Sequence, residues 1–152
     1  GGVEKAFQHR QVHRRGPWKM ITAVDTNILL DVFLPDEQFA PSSANSLKKA
    51  YDDGALIICD VVFAELAPQF GDRVELERIL RTINVSCSSM DTDIAFLAGR
   101  RWAKHRQAGG KRNRIITDFL IGAHAMKKAD RFLSRDRGFY RSYFPELKVL
   151  AD

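Results

Sequence analysis

Short apolar runs alternate with segments of helical pattern along the whole chain from Met20 onward. The apolar runs are rich in β-branched residues, and the segments between them begin at capping residues and end at glycine or proline, which predicts strands separated by helices. The predicted strands are ITAV, ALIIC, NVSC, RFLS and LKVLA. Strands that alternate with helices predict a mainly parallel sheet of about five strands covered on both faces, an α/β protein with a three-layer α/β/α sandwich.

The helices between these strands can be placed from their caps and breakers. We predict six helical segments: 27–34 before Pro35, one capped by Ser42 or Ser43 and running to Tyr51, one capped by Asp60 that carries Glu65, VELERILRTI, TDIAFLAGRRWAKHRQ capped by Asp91, and DFLIGAHAMKKA opened by Thr117 or Asp118. The stretch from Asp136 to Pro145 is predicted to be a loop.

The net charge of +5 is concentrated at the start of the chain. Residues 1–19 hold five Lys or Arg and one acid, which leaves 19 basic and 18 acidic residues from Met20 onward. We interpret residues 1–19 as an extension or cloning remnant and 20–152 as one domain. The chain lacks a secretory signal pattern and an apolar run long enough to span a membrane, so we expect a cytoplasmic protein. Cys59 and Cys87 lie in apolar runs without metal-ligand spacing, which favours buried free thiols.

Four acids occupy corresponding topological positions. Asp25 follows the first predicted strand, Asp136 follows RFLS, Glu65 lies early in the helix after the second strand, and Asp118 lies in the first turn of the helix that leads to RFLS. Ligands of open α/β sheets bind beyond the carboxyl ends of the strands. We therefore expect the four carboxylates to converge at that end.

Two of these acids share a helix face with apolar residues. Glu65 is expected to lie on a face with Val62 and Leu66, and Asp118 on a face with Ile121 and Gly122. Buried carboxylates that repel one another need compensation, and an all-oxygen site suits Mg²⁺ or Mn²⁺. Alternatives remain for single residues: Asp25 as a turn residue, Asp118 as a helix cap, and Asp136 as a loop acid paired with Arg135 or Arg137.

The segments VDTNILLDVF, VFAELAPQF, ITDFLIGAHA and FLSRDRGFYRSYFPELKVL resemble the PIN-domain ribonucleases, most closely the VapC-type toxins of toxin–antitoxin pairs. The resemblance covers essentially all of residues 20–152. It implies a PIN-like fold and a metal-dependent endoribonuclease in which Asp25, Glu65, Asp118 and Asp136 hold Mg²⁺ or Mn²⁺ and a metal-activated water hydrolyses RNA. Ser134 matches a supporting Ser or Thr of the family. Thr26 and Asn27 would then cap the first helix or hydrogen-bond around the site.

The segment NILLDVFL predicts a helix with apolar residues around most of its circumference. Either the following part of the chain or another protein must cover this surface. The resemblance favours a small antitoxin partner, and we also expect a homodimer. The alternative is a PIN scaffold that binds RNA or protein without cleaving it. An aspartyl-phosphate enzyme is disfavoured because DTN lacks the second acid expected two residues after a phosphatase nucleophile.

A basic segment, RRWAKHRQAGGKRNR, immediately precedes the helix of Asp118 and contains no acid. Its cations are Arg100, Arg101, Lys104, Arg106, Lys111, Arg112 and Arg114. They predict a surface that holds the RNA backbone, with a solvated helix end as the alternative. We expect Trp102 and His124 to pack in the core, and assign no role to His105.

Overall fold

The computed structural model describes residues 19–34, 37–109 and 115–150, and shows strands and helices in regular alternation. The strands are β1 Met20–Val24, β2 Gly54–Cys59, β3 Val85–Ser88, β4 Arg131–Leu133 and β5 Lys148–Leu150. The helices are α1 Thr26–Phe33, α2 Ala40–Asp53, α3 Asp60–Leu66 with a 3-10 turn at Ala67–Gln69, α4 Arg73–Thr82, α5 Thr92–Gln107, α6 Ile116–Lys128 and α7 Arg137–Tyr143.

The five strands form one sheet in the order β3-β2-β1-β4-β5, and every neighbouring pair is parallel. Successive side chains of a strand point to opposite faces. Ala23 and Val24 in β1 are both buried, as are Phe132 and Leu133 in β4. Both faces of the sheet are therefore covered, which confirms the predicted α/β/α sandwich. None of the helices in the described ranges has the length and apolar character needed to cross a membrane.

The sheet reverses its direction of growth between β1 and β4. From β1 the chain proceeds outward to β2 and β3, and from β4 it proceeds to β5 at the opposite edge. Val24 pairs with Leu133, and the N–H of Asp25 donates to the Leu133 carbonyl oxygen at 2.9 Å. In an open parallel sheet, a crevice forms outside the carboxyl ends of two neighbouring strands whose following connections run in opposite directions. The residues that follow β1 and β4 consequently lie side by side at its mouth.

Both predicted ends of α5 are confirmed, because the helix runs from Thr92 to Gln107. Asp91 caps its start, and its Oδ1 accepts from the Ile94 N–H at 2.9 Å. The prediction that Ser42 or Ser43 caps α2 was wrong, because this helix begins at Ala40. Ser43 lies inside the helix, where it is fully buried and donates its hydroxyl to Asp31 at 2.6 Å. A serine that bonds another element gave a false capping signal.

The predicted loop from Asp136 to Pro145 was also wrong, because α7 lies within it. Gly138 weakens the helical propensity of this segment. Tertiary packing overrides that propensity: Phe139 and Tyr140 are buried, with Phe139 against Phe119 and Tyr140 against Phe132 at ring-centroid distances of 5.1 and 4.7 Å.

Of the two cysteines, Cys59 is buried as predicted, but Cys87 is exposed on the edge strand β3. The prediction for Cys87 was therefore wrong, since a strand at the edge lacks a neighbour on one side. His124 is buried as predicted, and Trp102 is half-buried against the core. His105, to which the sequence gave no role, is buried.

Candidate active site

Asp25 lies directly after β1, at the mouth of the crevice, and its side chain is buried. It is the N-cap of α1: its Oδ1 accepts a hydrogen bond from the Thr26 N–H at 2.8 Å. Its Oδ2 accepts from the hydroxyl of Ser134 at 2.6 Å. Both oxygens are thus fixed by neighbours from two different elements, so the carboxylate has a defined orientation.

Burial raises the pKa of Asp25 from 3.8 to about 6. This value is the net of several effects. The hydrogen bonds from Ser134 and Thr26 lower the pKa because they stabilise the ionised form, while the negative charges of Glu65 and Asp118 add to the rise caused by burial. These two acids are therefore close enough to Asp25 to repel its charge.

Glu65 projects from α3, which contacts both α1 and α6. Its Oε1 accepts from the Thr26 hydroxyl at 2.7 Å. The expectation that Glu65 lies in a buried apolar stripe was wrong, because Val62 and Leu66 are buried whereas Glu65 is exposed. Val62 and Leu66 are four residues apart and therefore share the face of this short helix that packs on the core. Glu65 lies on a different face, which is turned toward the crevice mouth. Thr26 therefore connects Glu65 to the helix that Asp25 caps.

Asp118 is half-buried near the start of α6, two residues after Ile116. Its Oδ2 accepts from the Ile115 N–H at 3.3 Å, so the carboxylate reaches back to the residue before the helix. The alternative of a helix cap thus describes one of its contacts, while its charge also acts on Asp25. The two interpretations are compatible.

Asp136 lies in the loop after β4 and is the residue before α7. Its N–H donates to Ser134 Oγ at 3.0 Å, and the hydroxyl of the same serine donates to Asp25. Ser134 is fully buried and joins the backbone of Asp136 to the carboxylate of Asp25. Asn27 also contacts this loop, since its Oδ1 accepts from the Arg135 N–H at 3.3 Å. Thr26 and Asn27 therefore bond around the crevice, and Asp25 itself caps α1.

The Arg135 side chain pairs with Asp31 rather than with Asp136, which was one of the alternatives for Asp136. Its guanidinium bonds Asp31 through Nε at 2.8 Å and Nη2 at 3.1 Å. Sequence reasoning missed this partly buried ion pair, although a signal was present. Asp31 is the one charged residue within the apolar segment NILLDVFL.

A hard divalent cation fits the chemistry of this site. Across the described ranges, no three His, Cys, Asp or Glu side chains are grouped closely enough to hold a metal ion as they stand. The donors around Asp25 are nevertheless all oxygens, which Mg²⁺ and Mn²⁺ prefer. Asp25 is also destabilised in its ionised form by burial and by two neighbouring acids. A cation would offset this unfavourable electrostatics.

Four cations of the predicted basic surface lie within the described residues, and they differ in their surroundings. Arg100, Lys104 and Arg106 are exposed on α5. Arg101 is engaged within the protein, because its guanidinium donates to Glu146 at 3.0 and 3.1 Å and to the Tyr143 carbonyl oxygen at 2.8 Å. Lys111, Arg112 and Arg114 lie outside the described residues.

The fold and the acidic crevice define a class of protein, and comparison with known families identifies it. The family model for the PIN domain matches residues 22–145. The chain belongs to the PIN domain family. No curated protein sequence gives a significant match.

Solved structures resemble the chain in fold. VapBC2 from Rickettsia felis, bound to a DNA fragment from its promoter, has a TM-score of 0.65 at 20% identity and covers 86% of this chain and 98% of its own. VapBC-1 from nontypeable Haemophilus influenzae has a TM-score of 0.63 at 18% identity, with 86% and 97% covered. A toxin–antitoxin complex from Klebsiella pneumoniae has a TM-score of 0.59 at 19% identity, with 86% and 96% covered.

Proposed function

We propose that the protein is a metal-dependent endoribonuclease and the toxin of a VapBC-type toxin–antitoxin pair, acting in the cytoplasm. The observation that carries this proposal is the environment of Asp25. A buried carboxylate with both oxygens fixed stands at the carboxyl ends of β1 and β4, within the electrostatic reach of Glu65 and Asp118. Such an arrangement is unfavourable for stability alone, and it suits the binding of a cation in a PIN fold.

The residues have distinct roles in this proposal. Asp25, Glu65, Asp118 and Asp136 would hold Mg²⁺ or Mn²⁺. The chemistry that such an ion supplies is neutralisation of charge on the scissile phosphate and activation of water as the nucleophile. Ser134 orients Asp25 through its 2.6 Å hydrogen bond, and Thr26 orients Glu65 through its 2.7 Å bond. Hydrogen bonds of this kind, made to a side chain that would bind a metal ion, fix the orientation of that side chain.

Cleavage of RNA by the purified protein tests the proposal. A single-stranded RNA is incubated with Mg²⁺ or Mn²⁺, with and without EDTA, and the ends of the products are sequenced. We expect cleavage that requires the metal and leaves 5′-phosphate and 3′-hydroxyl ends. RNA binding without cleavage at any metal concentration would instead favour a PIN scaffold that binds RNA or protein without cutting it.

The basic segment is expected to hold the RNA backbone. Reversing the adjacent charges in the double variant Lys111→Glu, Arg112→Glu should weaken RNA binding and reduce the slope of log affinity against log salt by about one to two, because fewer counterions are released. Fluorescence anisotropy at several salt concentrations measures this slope. The matched control is Lys48→Glu, Lys49→Glu, an adjacent exposed pair on α2. Equal slopes for the two double variants would favour the solvated helix end.

An antitoxin partner is expected to cover the surface of α1. Ile28 and Leu29 are fully buried within the protein, whereas Leu34, just after the helix, is 44% exposed. Leu30 and Phe33 are only partly buried against the core. Among the described residues, coverage of this helix by the chain itself is thus incomplete. The three similar structures named above are toxin–antitoxin or VapBC assemblies.

Affinity purification of Asp25→Asn from the native cells tests for this partner. We expect recovery of a small protein in stable complex, and expect the isolated toxin to elute as a homodimer on size-exclusion chromatography. Recovery of no small partner, together with harmless expression of the active protein, would contradict the toxin assignment.

A further inference from the structure

Arg135 joins two parts of the molecule that frame the crevice. It lies between Ser134 and Asp136 in the loop after β4, and its guanidinium grips the Asp31 carboxylate of α1 with two hydrogen bonds of 2.8 and 3.1 Å. Its backbone N–H donates to Asn27 Oδ1, also on α1. Both the main chain and the side chain of Arg135 are therefore held by the helix that begins beside Asp25.

Asp31, which anchors Arg135, is itself held firmly in place. The side chain of Asp31 is only 5% exposed, and its Oδ2 also accepts from the buried hydroxyl of Ser43 at 2.6 Å. Arg135 lies over the ring of Phe39 at 4.0 Å from the centroid. A buried ion pair is favourable only when its geometry is good and its remaining hydrogen-bonding groups are satisfied, and removal of one partner is costly. Arg135 is thus held by α1 and by Phe39, the residue before α2, and Ser43 of α2 holds its anchor Asp31.

The consequence for the crevice follows from the neighbours of Arg135 in the chain. Ser134 is the residue whose hydroxyl bonds Asp25, and the Asp136 N–H bonds that same serine. A movement of this loop away from α1 would lengthen the hydrogen bond between Ser134 and Asp25 and would carry Asp136 away with it. An arginine suits this role better than a lysine, because its planar group makes two bonds to a carboxylate and stacks on a ring at the same time.

We propose that Arg135, anchored by Asp31, is a positioning residue that holds Ser134 and Asp136 in register with Asp25 for metal binding. This inference rests on the proposed function in one respect, namely that the crevice binds a divalent cation. Its geometric part, the fixing of the loop, does not depend on the metal.

Neutralisation of Asp31 tests the proposal. The matched control is Asp53, whose arginine partner lies at the other end of β4. Asp31→Asn removes the charge that holds Arg135 at the carboxyl end of β4, whereas Asp53→Asn removes the charge that pairs with Arg131, at 3.0 Å, at the amino end. Mn²⁺ affinity is measured by titration calorimetry at a temperature where all variants are folded. We expect Asp31→Asn to bind Mn²⁺ about 10- to 100-fold more weakly, as for other residues that orient metal ligands. Asp53→Asn should bind within about twofold of wild type, since its partner does not contact the crevice.

Amide hydrogen exchange gives a readout that is independent of metal. In Asp31→Asn, exchange of the Asp136 amide should accelerate about tenfold, while amides of β1 and β2 keep their rates, since local opening is reported separately from global unfolding. Arg135→Lys keeps the charge and should produce a smaller change in both measurements; it also replaces Asp31→Asn if that variant does not fold.

The outcomes separate this inference from the proposed function. Unchanged Asp136 exchange in Asp31→Asn and in Arg135→Lys would overturn the positioning role, whatever the metal does. Accelerated exchange with wild-type Mn²⁺ affinity would also overturn it, because the loop would then be structural only. If wild type and Asp53→Asn bind no Mn²⁺, the proposed function fails, and the exchange data alone decide whether Arg135 fixes the loop.

Discussion

Asp25→Asn is expected to reduce RNA cleavage by about 10³-fold or more while leaving the fold intact. The substitution keeps the size of the side chain but removes a charge that would bind the cation, and metal ions stabilise the developing charge of such reactions by several kcal/mol. A loss of about 4 kcal/mol corresponds to roughly 10³-fold in rate. Single-turnover cleavage of a labelled RNA in saturating Mn²⁺ measures the effect.

Two companion variants make this result specific. Ser134→Ala removes the 2.6 Å hydrogen bond to Asp25 but no ligand, so a smaller loss of about 10- to 100-fold is expected. Asp53→Asn neutralises the acid that pairs with Arg131 at the amino end of β4, and this variant should retain full activity. Wild-type cleavage by purified Asp25→Asn would refute the assignment of the crevice as the active site.

The position of Asp25 was accessible from the sequence because two local patterns combine there. An apolar run predicts a buried strand, and an acid placed directly after it must lie at the carboxyl end of the sheet. The same reasoning applies to Ser134 and Asp136 after β4. Once the strand order is known, the pairing of Val24 with Leu133 places Asp25 beside Ser134. Strand ends are thus predictable because periodicity and topology agree.

Other features depended on contacts between elements distant in sequence. The exposure of Glu65 follows from how α3 is rotated against its neighbours, which the spacing of Val62 and Leu66 alone does not determine. The contact of Asp31 with Arg135 spans 104 residues. Helix α7 forms from a segment of weak propensity because Phe139 and Tyr140 are buried. Such features arise from tertiary packing, which overrides local preference.

The stability of the metal-free protein is expected to fall relative to Asp25→Asn as the pH rises. Burial raises the pKa of Asp25 from 3.8 to about 6, so between these values the unfolded chain has released a proton that the folded protein still holds. The unfolded state then binds fewer protons, and stability decreases with increasing pH. The cost is absent below pH 3.8 and complete above about pH 6, where it approaches roughly 3 kcal/mol at 1.36 kcal/mol per pKa unit.

Chemical denaturation in EDTA at pH 4.5 and 7.5 measures this difference. The free energy of unfolding of Asp25→Asn minus that of wild type should be about 2 kcal/mol larger at pH 7.5, by linkage to the raised pKa. The hydrogen bonds that asparagine makes less well contribute at both pH values, so they cancel in this comparison. Addition of Mn²⁺ at pH 7.5 should then stabilise wild type and not the variant, because a ligand stabilises only the state that binds it. A difference that stays constant with pH would show that the charge of Asp25 is already compensated within the protein, and would remove the electrostatic reason for a cation in the crevice.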